Sequence, residues 1–138
     1  MTTFTVSFEP ELPSGGGTSP PEQPDWSHIY EITGGLEYDM TYHVCDQAFG
    51  YYPTDVVGLL SDLIGAKAEL DRGQDGAINM SGYTILVVEI SGAGIVFSEP
   101  SASTWRCEVQ TIVVREALDQ ALRDVWSFVT SLDQPRSS

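Results

Sequence analysis

The sequence LEYDMTYHVC, at positions 36–45, shows the clearest alternation of apolar and polar residues in the chain. Because successive side chains of a β-strand point to opposite faces, a period of two predicts a long strand with one buried face. The polar face is mostly acidic. The predicted buried face carries Leu36, Tyr38, Met40, Tyr42 and Val44, and the polar face carries Glu37, Asp39, Thr41, His43 and Cys45.

Two segments before this strand also read as β-structure. Phe4, Val6 and Phe8 alternate with small polar residues, which predicts a half-buried strand. His28–Thr33 reads as a short strand, and Gly34-Gly35 offers a tight turn that would pair it with the long strand as a hairpin. Between them, residues 10–27 are rich in Pro, Gly and Ser, so we expect a flexible loop there.

A helix is predicted after the long strand. Thr54 or Asp55 can cap its free amides, and Gly73 can end it in the left-handed conformation. Apolar residues recur between these ends at helical spacing. They are Val56, Leu59, Leu60, Leu63, Ile64 and Leu70.

Three strands and a second helix complete the predicted order. Tyr83–Ser91 is apolar on both sides, which favours a central strand, and short turns lead to Ile95–Phe97 and Thr104–Gln110. The helix begins within Thr111–Val114, with Arg115–Asp119 and Asp119–Arg123 as expected i,i+4 pairs, and residues 133–138 form a frayed tail. We therefore predict a single α+β domain over 1–138, with a mostly antiparallel sheet of about five to six strands and two helices on one face.

Charge is the most unusual property of the sequence. Twenty acidic residues face six basic ones, for a net charge of -14, and residues 1–66 contain no Lys or Arg. Such a surface repels nucleic acid and anionic membranes and attracts a basic protein. A role in solubility alone is the open alternative. No targeting segment or apolar span is visible, so a cytoplasmic protein is expected.

The residues that carry chemistry do not form a recognisable catalytic pattern. His43 and Cys45 share a strand face, and Cys107 or His28 could join them at a metal, but the spacing matches no metal motif. Two cysteines are too few for a disulfide framework, so both are expected as thiols in a reducing compartment. We predict no catalytic residue, no metal and no cofactor, and thus a protein that is not an enzyme.

Aromatic residues beside acidic ones are better candidates for function. Trp26, Tyr51 and Tyr52 could anchor a partner, or could instead cover an edge of the core. The acidic residues proposed to surround them and to meet a basic partner are Glu31, Glu37, Asp39 and Asp46.

The segment Ser103–Val109, followed by a helix that contains Val114-Arg115-Glu116-Ala117-Leu118, resembles the small acidic immunity proteins of bacterial toxin systems. The resemblance covers about half the chain. It implies a stoichiometric inhibitor, monomeric or homodimeric, that neutralises a basic toxin or nuclease-like enzyme. Two alternatives stay open. One is a phage-encoded inhibitor of a host defence enzyme, and the other is an assembly module that self-associates through a sheet edge or through Trp126 and Phe128.

Overall fold

A computed structural model describes residues 3–9, 18–50, 53–80, 82–101 and 104–133, which form three helices and nine strands. The helices are α1 (Trp26–Thr33), α2 (Val56–Arg72) and α3 (Thr111–Asp133). The strands are β1 (Phe4–Phe8), β2 (Glu37–Tyr38), β3 (Met40–Val44), β4 (Gln47–Phe49), β5 (Thr54–Asp55), β6 (Gly76–Met80), β7 (Tyr83–Ser91), β8 (Gly94–Ser98) and β9 (Arg106–Gln110).

The strands form three antiparallel sheets. The largest has four strands in the order β6-β7-β8-β9, so consecutive strands are neighbours. A three-stranded sheet has the order β1-β3-β4, and β2 pairs with β5 in a two-stranded sheet. The α+β class is confirmed, whereas the predicted sheet of five to six strands is wrong because the strands divide among three smaller sheets.

One hydrophobic core joins these sheets to the helices. Phe4 of β1 stacks on Phe97 of β8 with ring centroids 5.1 Å apart, which joins the three-stranded sheet to the four-stranded sheet. Leu70 of α2 and Leu118 of α3 both line a cavity of about 20 Å³ over the inner face of the four-stranded sheet. Within the described residues, no helix is both long and apolar enough to cross a membrane.

The segment predicted as a strand at His28–Thr33 is the helix α1, so the predicted hairpin is wrong. The carboxylate of Asp25 accepts a hydrogen bond from the backbone amide of His28 at 3.2 Å, which caps the helix. Gly34 ends it with φ 68. The β-branched residues of this segment favour a strand locally, but Ile29 and Thr33 are buried one helical turn apart. Packing therefore outweighs propensity here.

The long strand predicted over residues 36–45 is divided. Its alternation is confirmed from Glu37 to Val44, but β2 and β3 belong to different sheets. β3 pairs with β1 and β4 instead of with the segment before it. Leu36, expected in the core, is exposed. The chain changes sheet at Asp39, so one alternating pattern supplies two strands.

The predictions for α2 and the strands after it are largely confirmed. Asp55 caps α2 by accepting from the amide of Gly58 at 2.7 Å, and Gly73 ends the helix with φ 66. β7 has the predicted bounds and is central. Both Ile85 and Leu86 are buried, so this strand is covered on part of both faces, whereas Val87 is exposed. β6, which was not predicted, pairs with β7 along the edge of the sheet.

The apolar residues Val114, Leu118, Leu122, Val125 and Val129 of α3 are buried, but the charged residues of this helix pair differently from the prediction. Asp119 forms an ion pair with Lys67 of α2, and Arg115 lies 3.5 Å from the carboxylate of Asp71. The expected i,i+4 pairs are thus replaced by pairs between helices. Sequence alone could not show this, because it does not reveal which helices are neighbours.

Candidate functional site

The predicted partner-binding residues are distributed over several elements. Trp26 and Glu31 lie on α1, and Glu37 lies in β2. Asp39 connects β2 to β3, whereas Asp46 lies in the turn between β3 and β4. Tyr51 and Tyr52 lie outside the described residues.

Helix α1 separates Trp26 from Glu31. Trp26, Ile29 and Thr33 recur on the inner face, and the hydroxyl of Thr33 donates to the carbonyl of Ile29 at 2.8 Å. Trp26 is half-buried and packs against the core, as the alternative interpretation of this residue expected. Tyr30 and Glu31 therefore lie on the exposed face of the helix.

The turn after α1 brings an aromatic and an aliphatic side chain to the surface. Gly34 and Gly35 both have φ 68, a left-handed conformation that glycine adopts without strain. A Cβ at Gly35 would lie 2.9 Å from the hydroxyl oxygen of Tyr30, so the tyrosine ring lies over this turn. Tyr30 is 56% exposed and Leu36 is 61% exposed.

These two side chains have an acidic neighbour on each side of the turn. Glu31 follows Tyr30 on α1, and Glu37, the first residue of β2, follows Leu36. Both glutamates are exposed. We call these four residues, Tyr30, Glu31, Leu36 and Glu37, the turn patch. Sequence reasoning missed Tyr30 and Leu36 because the hairpin prediction placed both in strands. The Asp25 cap and the Gly34-Gly35 pair were the signals that could have identified them.

Backbone pairing brings further acidic residues near the β2 and β3 strands. Glu37 is paired with Asp55 across the two-stranded sheet. The backbone amide of Glu9 donates to the carbonyl of Asp39 at 2.9 Å, which places these two acidic residues together at one end of β1 and β3. Since residues 1–66 contain no Lys or Arg, no basic residue of these elements compensates the charge.

Asp46 lies at the other end of β3 from Asp39. A five-residue strand spans about 16 Å, so these two candidates do not share one contact point. Asp46 directly follows Cys45, and Arg106 directly precedes Cys107. The structure joins Cys45 and Cys107 as a disulfide, contrary to the expectation of two thiols.

An open groove of about 550 Å³ lies beside β4. Its lining includes Phe49 and Gly50 on one side and Tyr83, Ile85 and Pro100 on the other. We assign it no ligand.

Two titratable side chains, His43 and Tyr42, lie on β3, away from the turn patch. His43 is exposed, and its Nε2 lies 3.1 Å from the hydroxyl oxygen of Ser7. Burial raises the pKa of the Tyr42 hydroxyl, and the charge of Asp62 raises it further, so Tyr42 stays neutral at ordinary pH. Over the described ranges, no three His, Cys, Asp or Glu side chains are grouped to hold a metal ion.

Trp126 and Phe128 were expected to form an exposed surface for self-association. They do not form one. Phe128 is buried, with its ring centroid 5.7 Å from that of Phe8 and 5.1 Å from that of Tyr38. Trp126 is half-buried and packs against the core.

Comparison with known proteins gives no relative to guide the assignment: no family model, curated protein or solved structure matches the chain.

Proposed function

We propose that this chain is a stoichiometric inhibitor of the immunity type, which binds and neutralises a basic toxin or effector enzyme. The observation that supports it is the turn patch, in which exposed Tyr30 is followed by exposed Glu31 and exposed Leu36 is followed by exposed Glu37. Protein interfaces gain most of their affinity from a few apolar anchors that lose water on binding. Surrounding charge sets the partner and the rate of encounter.

The charge distribution supports a basic partner. All ten acidic residues of positions 1–66 are free of basic neighbours in sequence, and Asp39 and Glu9 extend the negative surface past Glu37. A field of one sign attracts an opposite charge over a distance of about the Debye length, which is about 8 Å in physiological salt. Binding should therefore weaken as salt is raised.

The turn patch is also suited to mutation, because its apolar side chains contribute little to the core. Tyr30→Ala and Leu36→Ala remove the proposed anchors, and Glu31→Lys with Glu37→Lys reverses the charge. Ile112 of α3 is 56% exposed, as Tyr30 is, and Glu116 is exposed on the same helix. Ile112→Ala and Glu116→Lys are therefore matched control variants.

The experiment captures partners on the immobilised full chain from lysate of cells that carry its gene, at low and at high salt. We expect one basic protein to bind at a ratio of about one to one, and its enzymatic activity to fall when the chain is added. Each turn-patch variant should weaken binding at least about tenfold, or about 1.4 kcal/mol, while the control variants bind as the natural sequence does.

Three results would contradict the proposal. The first is capture that the turn-patch variants leave unchanged. The second is a captured protein whose activity is unaffected by the chain. The third is the absence of any basic partner, together with self-association in light scattering, which would favour the assembly module instead. An inhibitor encoded by a phage would act through the same surface, and the identity of the captured enzyme would distinguish it from an antitoxin.

A further inference from the structure

The disulfide joins two sheets that share no hydrogen-bonded strand pair. Cys45 begins the turn between β3 and β4, and Cys107 lies in β9; their Cα atoms are 6.7 Å apart, and their sequence separation is 62. Cys107 lies in an edge strand, since β9 is the last strand of the four-stranded sheet, whereas Cys45 follows β3, the central strand of the three-stranded sheet. The bond therefore connects the β3–β4 turn, at one end of the three-stranded sheet, to the edge of the four-stranded sheet.

The conformation of Cys45 points to a use for its sulfur. Cys45 has φ 56, and it is the one non-glycine residue with a positive φ in the described part of the chain. Glycine, and to a lesser extent Asn and Asp, adopt this conformation most readily, whereas cysteine is disfavoured there. A cysteine at this turn costs backbone energy, which its side chain must offset.

Within the β3–β4 hairpin, β3 is held by its pairing with β1, and the backbone amide of Cys45 donates to the carbonyl of Thr3 at 2.8 Å. β4 lies at the edge of this sheet, and its Phe49 contacts Trp105, with ring centroids 5.1 Å apart. Trp105 is two residues from Cys107, so the ring contact and the disulfide hold the hairpin at the same place. Both cysteine residues are half-buried, so neither is fully enclosed by the core.

We propose that the Cys45–Cys107 bond is a reversible redox clamp that fixes the β3–β4 hairpin against β9. A small-molecule disulfide, such as oxidised glutathione, accepts the two electrons as the two protein thiols become one disulfide. One molecule of oxidised glutathione is thereby reduced to two glutathione thiols, which take up the two protons released by the protein. A dithiol reverses the step by exchange through a mixed disulfide. This proposal does not depend on the identity of any partner.

In the test, the full chain is equilibrated in buffers with different ratios of oxidised to reduced glutathione. Its free thiols are then alkylated, and the mass of the intact chain is measured by mass spectrometry. We expect the natural chain to change from two alkylated cysteines to none as the ratio rises. The oxidised form should melt about 10 °C above the reduced form, because the bond restricts the unfolded chain. On reduction, amide hydrogen exchange should rise in β4 and around Cys107, but not in β7.

Cys45→Gly is the decisive variant, because it removes the thiol and also allows the positive φ at this position without strain. It should melt well below the oxidised natural chain, yet at or above the reduced one, and reductant should not change its melting temperature. Cys107→Ser keeps the unfavourable backbone at Cys45 without the bond. It should melt near the reduced natural chain.

Several outcomes would overturn the proposal. Two alkylated cysteines at every glutathione ratio would show that no bond forms. Equal melting temperatures of the oxidised and reduced forms would show that the bond does not stabilise the fold. Amide hydrogen exchange in β4 that is unchanged by reduction would show that the bond does not restrain the hairpin. A bond that dithiothreitol cannot reduce in the folded chain would be a permanent crosslink.

Discussion

Lys67 of α2 and Asp119 of α3 form an ion pair between two helices, with about a third of each side chain exposed. The Oδ1 atom of Asp119 is buried and makes no conventional hydrogen bond within the described part of the chain. Its charge is therefore balanced through Lys67. The pair matters because α2 and α3 together cover the inner face of the four-stranded sheet.

Replacement of Lys67 should cost more than replacement of its partner. Lys67→Met leaves a buried carboxylate oxygen unpaired, so we expect the free energy of unfolding to fall by about 1–2 kcal/mol. Asp119→Asn should cost about 1 kcal/mol or less, since the lysine can turn to water. Urea denaturation measures both. Arg115→Met, at the longer and more exposed pair with Asp71, is the control and should change little; an equal loss there would contradict this account.

Removal of the Tyr42 hydroxyl should be harmless or stabilising. The hydroxyl is buried without a hydrogen-bond partner in the described part of the chain, so Tyr42→Phe should change the free energy of unfolding by about 1 kcal/mol or less, toward greater stability. Tyr42→Ala, which leaves a cavity in the core, should cost about 4 kcal/mol. A large loss in the phenylalanine variant under urea denaturation would indicate a partner for the hydroxyl.

The same residue should make the natural chain sensitive to alkali. The folded pKa of Tyr42 is raised, whereas in the unfolded chain tyrosine loses its proton near pH 10. Above that pH the unfolded state holds fewer protons than the folded state, so stability falls as pH rises. Denaturation between about pH 9 and pH 11 should show a shallower fall for Tyr42→Phe than for the natural chain. Parallel curves would contradict the raised pKa.

The cap of α2 should depend on the shape of Asp55 more than on its charge. Asp55→Ala removes the acceptor for the amide of Gly58, and we expect a loss of about 1 kcal/mol. Asp55→Asn keeps an acceptor oxygen and relieves repulsion from Glu37 across the two-stranded sheet, so its effect should be about 0.5 kcal/mol or less. Thermal melting of both variants tests this. Equal losses would show that charge dominates.

Two glycines near the end of α2 should respond to alanine in opposite directions. A Cβ at Gly65 or at Gly73 meets open space, so neither substitution causes a clash. Gly65 lies inside the helix, where alanine should raise the free energy of unfolding by about 1 kcal/mol. Gly73 has φ 66, where alanine should lower it by about 1 kcal/mol. Changes of the same sign in urea denaturation would contradict the assigned helix end.

Local chemistry in the sequence determined much of the secondary structure. Asp55 and Gly73 bound α2 because a capping carboxylate and a left-handed glycine act within a few residues of themselves. The alternation of Met40, Tyr42 and Val44 identified the buried side of β3 for the same reason. The excess of acidic residues before Lys67 is likewise a property of the sequence alone.

Tertiary structure decided the features that depend on distant neighbours. Residues 26–33 became a helix because burial of Ile29 and Thr33 outweighed local strand propensity, and that helix exposed Tyr30. The division at Asp39 sent one alternating pattern into two sheets, which left Leu36 at the surface and Asp46 at the far end of β3. Cys45 and Cys107 met because the hairpin turn lies against β9. Each outcome depends on contacts between residues far apart in sequence, whose free energies no local pattern contains.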